Sequence, residues 1–137
     1  MNDHLLGKTP VTSNDTSLCN KKIILGVSGS IASYKAIELL RLLVREGARV
    51  HVVMSTNAVK FVTPLTFETL SRNPVYHQVF NTNSTMSMEH IRAVESADLL
   101  LIAPATAGII GKMANGIADD ALSNLCVSYN GAIMVAP

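Results

Sequence analysis

Residues 23–54 read IILGVSGSIASYKAIELLRLLVREGARVHVVM, and the spacing of apolar residues in this stretch decides the fold. Ile23-Ile24-Leu25-Gly26-Val27 is a short, nearly continuous apolar run that ends in Ser28-Gly29-Ser30. That is the pattern of a strand buried on both faces and entering a tight turn. Ile31, Tyr34, Ile37, Leu40 and then Leu43 or Val44 recur at steps of three and four, so the spacing predicts a helix over 31–46 with one apolar face. Gly47 is placed to end that helix in the left-handed conformation. A second apolar run, residues 50–54, follows after a very short connection. Strand, helix and strand within about 30 residues match the size of a right-handed βαβ unit, which predicts a parallel sheet.

Outward from this unit, Thr63-Pro64 reads as an N-cap followed by proline at the first helical position, opening a short helix over 64–70. Residues 74–76 are expected to form a brief strand, and residues 81–88 are polar without core periodicity, as in a surface loop that delivers Glu89-His90-Ile91 to the domain. Residues 98–103 are another buried strand ending in Pro104-Ala105-Thr106-Ala107. Two helices, over 108–114 and 119–127, are expected to break at Asn115-Gly116, and residues 132–136 supply a last strand. Residues 1–20 are rich in Asn, Ser, Thr and Asp and lack either periodicity, so they are expected to be a flexible tail ahead of one domain over 21–137. The predicted architecture is a doubly wound parallel sheet in three α/β/α layers.

A length of 137 residues with 48% hydrophobic content suits a single domain with a real core. Eleven Lys and Arg against ten Asp and Glu leave a net charge of +1 without a basic block, which argues against nucleic acid as a partner. The longest apolar runs fall far below the roughly 18 residues of a membrane span, and the amino-terminal stretch does not read as a secretory signal. Cys19 and Cys126 lie far apart with no metal-binding or disulfide spacing, so a reducing cytoplasm is the expected location and no metal is expected.

In a doubly wound sheet, ligands bind beyond the carboxyl ends of the strands, where turns and helix N-termini present main-chain N–H groups. Three turns of this chain qualify. The first, around Ser28-Gly29-Ser30-Ile31, has a glycine for close approach and hydroxyls for hydrogen bonds, yet matches neither GxGxxG nor GxxxxGK[ST]. An ordinary serine-capped glycine turn is its competing reading. The second, Ser55-Thr56-Asn57, also reads as a plain N-cap; the third, Pro104-Ala105-Thr106-Ala107, is small and stiff enough for a planar ligand to lie against it. His90 is a candidate general acid or base because an imidazole titrates near neutrality, although a lone histidine is more often structural. Asp119-Asp120 reads mainly as helix capping and Cys126 as a small buried hydrophobe.

Taken together, Gly26 through Ala32, Ser55 with Phe61-Val62-Thr63-Pro64-Leu65, His90-Ile91, Ala97-Asp98, Ala103 through Ala107 and Gly116-Ile117-Ala118-Asp119-Asp120 resemble the homo-oligomeric flavin-containing cysteine decarboxylases. The resemblance covers residues 21–137 and implies a Rossmann-like flavoprotein that binds FMN. It places Gly29, Ser30, Ile31 and Ala32 in the first FMN-binding turn, Ser55, Thr56 and Asn57 in the second, and Thr106, Ala107, Gly108 and Ile109 in the third, with Phe61 beside the flavin. His90 matches the family's active-site histidine. The implied reaction is decarboxylation of 4′-phospho-N-pantothenoylcysteine in coenzyme A biosynthesis: FMN oxidises the cysteine thiol, carbon dioxide leaves, and the electrons return to the product. The family also implies a trimer or dodecamer with FMN at subunit contacts, and sometimes fusion to a phosphopantothenate–cysteine ligase domain. Peptidyl-cysteine decarboxylases of lantibiotic maturation share the fold and flavin, as do non-catalytic regulatory subunits of the halotolerance type; flavin prenyltransferases fit the His90 and Ala103–Ala107 neighbourhoods less well. Gly108 stands where many relatives have Asn. The family continues with Ala-Met-Asn and a cysteine-bearing flap where this chain reads Val135-Ala136-Pro137, so the domain is expected to be C-terminally incomplete relative to it.

Overall fold

The computed structural model describes residues 17–78 and 93–137. Five parallel strands, β1 (Lys22–Val27), β2 (Arg49–Met54), β3 (Val75–Tyr76), β4 (Leu99–Ile102) and β5 (Ile133–Val135), form one sheet in the order β3-β2-β1-β4-β5. The chain therefore runs outward from β1 to one edge, then restarts at β4 on the other side of β1. Between β1 and β4 the order reverses, and at such a switch point the turns after the two strands diverge and leave a crevice.

The reason each central strand reads as an unbroken apolar run is that both of its faces are covered. Ile23, Leu25 and Val27 of β1, with Val50, Val52 and Met54 of β2, pack on one face against Ala36 and Leu40 of α1 (Ser33–Arg45) and Phe67 of α2 (Pro64–Ser71). On the opposite face Ile24, Val53, Leu100 and Ile102 meet Ile109 of α3 (Ala107–Asn115) and Leu122, Leu125 and Cys126 of α4 (Ala121–Ser128). Each fully buried aliphatic side chain contributes about 1.5–3 kcal/mol, so these two clusters hold the layers together. Gly47 (φ 89°) and Gly116 (φ 65°) follow α1 and α3 in the left-handed conformation, as expected of residues that stop a helix.

Three details differ from the expectations. The stripe predicted for α1 holds only towards its carboxyl end: Leu40 is buried with Ser33 and Ala36, and Ile37, Leu39 and Leu43 are partly covered, whereas Ile31 is 81% exposed and Tyr34 is 55% exposed. Ile31 precedes the helix in a turn that overhangs the end of the sheet, and small residues at 33 and 36 let α1 lie close to it. Residues 17–20, assigned to the tail by their polarity, form a turn in which the Leu18 N–H donates to the Glu46 carbonyl at 3.1 Å and the Leu18 side chain packs on the core. The 3-10 turn Ala58–Lys60 was not expected, since three residues are too few for any periodicity.

Candidate functional site

Ser28 follows β1 almost wholly buried, and its hydroxyl joins two turns that lie far apart in sequence. The Oγ donates to the Pro104 carbonyl and accepts from the Thr106 N–H at 2.9 Å. Its own N–H reaches the same Pro104 carbonyl at 3.3 Å, and its carbonyl accepts from the Ser33 hydroxyl at 2.9 Å. The first and third turns are thereby fixed to each other across the switch point. Ser30 closes the first turn locally, its Oγ accepting from the Ala32 N–H at 3.1 Å, while the Ser30 N–H donates to Ser33 Oγ at 3.2 Å.

Gly29 then packs against the second turn. A Cβ at this position would lie 2.5 Å from Asn57 Cβ, 2.7 Å from the Asn57 carbonyl carbon and 2.9 Å from the Ala58 nitrogen, two of them backbone atoms that cannot swing aside. The requirement for glycine is therefore one of space, imposed by a turn that arrives after β2. Ser55 is held by its N–H to the Val27 carbonyl at 3.0 Å, and its Oγ accepts from the Ala58 N–H at 3.1 Å. The Thr56 N–H donates to Asp120 Oδ2 at 3.2 Å. At the third turn, Thr106 is the N-cap of α3, its hydroxyl accepting from the Ile109 N–H at 3.3 Å.

These contacts make one open cleft lined by Gly29, Ser55, Asn57, Thr106, Gly108 and Ile109, with Ser28, Lys112 and Asp120 completing its wall. Ser30, Ala32, Thr56 and Ala107 stand in the same turns without lining it, whereas Ile31 and Phe61 are exposed apolar side chains on the segments beside it. His90 lies outside the described residues. Lys112 and the second role of Asp120 were not anticipated: Lys112 follows Gly108 by one helical turn, a spacing that places both on one face and was readable in the sequence. The tie from Asp120 to Thr56 spans 64 residues and had no local signal.

The donor set suits a multiply oxygenated anion. Among the described residues the N–H groups of Gly29, Ile31 and Asn57 meet no protein acceptor, and those of Ala107 and Gly108 open α3, where no intrahelical acceptor exists. Such groups at a helix N-terminus favour phosphate through both geometry and dipole. Lys112 contributes a cation at the rim: its Nζ pairs with Asp119 Oδ1 at 2.7 Å, which raises the lysine and lowers the carboxyl from their ordinary pKa values. Cys126 does not line the cleft, and burial pushes its thiol up to about 11. His51, on β2, is shifted down by burial and then by Lys22. No cluster of metal-binding side chains occurs among the described residues, and no helix among them is long and apolar enough to cross a membrane.

An open parallel sheet with a switch-point crevice built from main-chain donors and hydroxyls is the architecture of doubly wound α/β proteins, whose ligands bind at that point. The family model described as Flavoprotein matches residues 11–137, and the chain belongs to that family, so its cofactor class is a flavin. The chain is 47% identical over 120 residues to the coenzyme A biosynthesis bifunctional protein CoaBC of Bacillus subtilis (strain 168), covering 88% of this chain and 30% of that protein. It is 46% identical over 121 residues to CoaBC of Vibrio cholerae serotype O1, again covering 88% of this chain and 30% of the relative. The chain thus spans about a third of the length of these curated relatives. Among solved structures, it resembles the C175S mutant of PPC decarboxylase complexed with pantothenoylaminoethenethiol, with a TM-score of 0.69, 26% identity, and coverage of 86% of this chain and 66% of the other. It also resembles TvaF, an FMN-dependent cysteine decarboxylase from thioviridamide biosynthesis, with a TM-score of 0.75, 27% identity, and coverage of 84% and 71%.

Proposed function

We propose that this chain is the FMN-binding decarboxylase part of a coenzyme A biosynthesis protein and acts on 4′-phospho-N-pantothenoylcysteine to give 4′-phosphopantetheine. The observation that carries this reading is the three-turn anion cleft in a chain that shares 47% identity over 120 residues with CoaBC. In this reading Gly29, Ser30, Ile31 and Ala32 form the first flavin-holding turn, and Ser55, Thr56 and Asn57 form the second. Thr106, Ala107, Gly108 and Ile109 form the third, and Phe61 stands beside the ring. When bound, FMN supplies the two-electron exchange with the substrate thiol that makes loss of carbon dioxide feasible. The turns hold the phosphate with preorganised N–H groups that need no rearrangement on binding, and thereby fix where the ring can lie. His90 is assigned to move a proton or polarise the reacting group.

The relatives are named as bifunctional proteins, and fusion to a ligase domain is part of the proposal, as are the cytoplasm as its location and a homo-oligomer as its working form. A second reading keeps the fold and the flavin and takes the carboxyl-terminal cysteine of a peptide as substrate; it is carried by the similarity to TvaF, which is named a cysteine decarboxylase without mention of pantothenate. The test is to purify the protein, release any chromophore with acid and weigh it, then assay carbon dioxide release from 4′-phospho-N-pantothenoylcysteine and from a peptide ending in cysteine. The expected outcome is an FMN mass and activity on the small thiol alone. Replacement of His90 by Asn is expected to retain flavin and lower turnover by at least about a hundredfold, the scale of general acid–base catalysis. Full activity of that variant would overturn the role given to His90.

A further inference from the structure

Asp120 stands where α4 begins, only 6% exposed, and its two carboxylate oxygens face different parts of the molecule. Oδ1 caps α4, accepting from the Ser123 N–H and from the Ser123 hydroxyl, both at 2.8 Å; Ser123 Oγ in return accepts from the Asp120 N–H at 3.0 Å. This is a complete capping box, and the cap needs one oxygen only. Oδ2 leaves the helix and accepts the Thr56 N–H of the second turn at 3.2 Å. A residue read from sequence as a helix cap is thus also a tie to the cleft that it lines.

We infer that Asp120 is a positioning residue for the flavin site, acting through Thr56 to hold Asn57 where its N–H opens on the cleft and its backbone backs onto Gly29; this rests on the flavin reading above. The argument turns on two opposed effects. A carboxylate in the wall of an anion site repels the ligand, and by charge alone its removal would tighten binding. A turn that loses its anchor has to be reordered each time the ligand binds, so removal weakens binding. A cap without the second role predicts neither effect, because Asn caps a helix as well as Asp does. Three readings of one residue therefore differ in the sign of a single measurement.

The variant that separates them is Asp120→Asn in the full chain. Its amide oxygen can keep the α4 cap, and its amide nitrogen then sets a donor against the Thr56 donor. The readouts are FMN affinity of the apoprotein by flavin fluorescence titration and hydrogen exchange of the Thr56 amide without flavin. The expected result is weaker FMN binding by about tenfold, the scale of one charge-assisted hydrogen bond, together with faster exchange at Thr56. Affinity unchanged or improved would overturn the inference. Asp120→Ser retains a capping hydroxyl but is too short to reach Thr56, and is expected to behave alike; unfolding of both variants would reduce Asp120 to a stability residue and overturn the inference as well. If the parent protein takes up no FMN, the flavin reading falls, and the Thr56 exchange rates then decide the tie alone: faster in the variant supports it, equal rates remove it.

Discussion

At the scale of single residues the cleft depends on side chains that tie its turns together. Ser28 is the clearest of them, because one hydroxyl serves as donor to Pro104 and acceptor for Thr106 in a place where water has little access. Its replacement by Ala leaves the Thr106 N–H and one lone pair of the Pro104 carbonyl without their partner, and an unsatisfied buried group costs about 1–3 kcal/mol. Ser28→Ala is therefore expected to lower stability by that amount in urea denaturation, and to weaken flavin binding because the first and third turns are no longer tied. Wild-type stability with wild-type affinity would show that main-chain contacts alone align the turns. Sequence reading placed Ser28 in a ligand turn but gave no hint of its partner, since the bond joins residues 28 and 106 and the intervening fold has to be known before the two can be seen as neighbours.

Elements were legible to the extent that their causes are local. The apolar runs at β1, β2 and β4 sit where the sequence placed them, and Asp120, read with Asp119 as capping, is the N-cap of α4, because strand burial and cap hydrogen bonds act over a few residues. Only the amino-terminal end of the α1 stripe, Ile31 and Tyr34, was misread, for a physical reason: periodicity marks which residues share a side, not how far the helix overhangs the sheet. Cys126 tests a local reading that was sound. It lies buried on α4 against the sheet, with its thiol pushed up to about 11 by burial and then by Asp120. At pH 8 the reactive thiolate is therefore a minute fraction. Cys19, by contrast, is exposed. Alkylation of the native protein at pH 8 is expected to add one adduct, at Cys19, and alkylation after denaturation two. Rapid double labelling of the native protein would mean that α4 opens far more readily than its packing implies.

At the scale of the whole molecule, the surface beside the cleft is the part that a single chain leaves unexplained. Ile31 is 81% exposed and Leu65 67%, with Tyr34 and Phe61 each more than half exposed, on the segments that flank the first and second turns. Large exposed apolar side chains on neighbouring segments are what an interaction site would use, and a second copy of this chain is the occupant that the proposed homo-oligomer supplies. Composition, with 48% hydrophobic content and 15% charge, agrees with subunits that bury part of their surface but does not show it and names no surface. The exposure of Ile31 and Tyr34 supplies the surface, whereas Ile37, Leu40 and Leu43 of the same predicted stripe pack on the core. A lysine at position 31 would place a charge where about 1.5–3 kcal/mol of aliphatic burial is expected, and also the cost of desolvating that charge. Ile31→Lys is therefore expected to shift the protein in sedimentation velocity from an oligomer towards the 14.6 kDa of one chain. Because the apolar rim borders the first turn, flavin occupancy should fall with assembly. A parent chain that sediments as a monomer while fully loaded with flavin would overturn the link between the two, and would leave the exposed rim to the substrate.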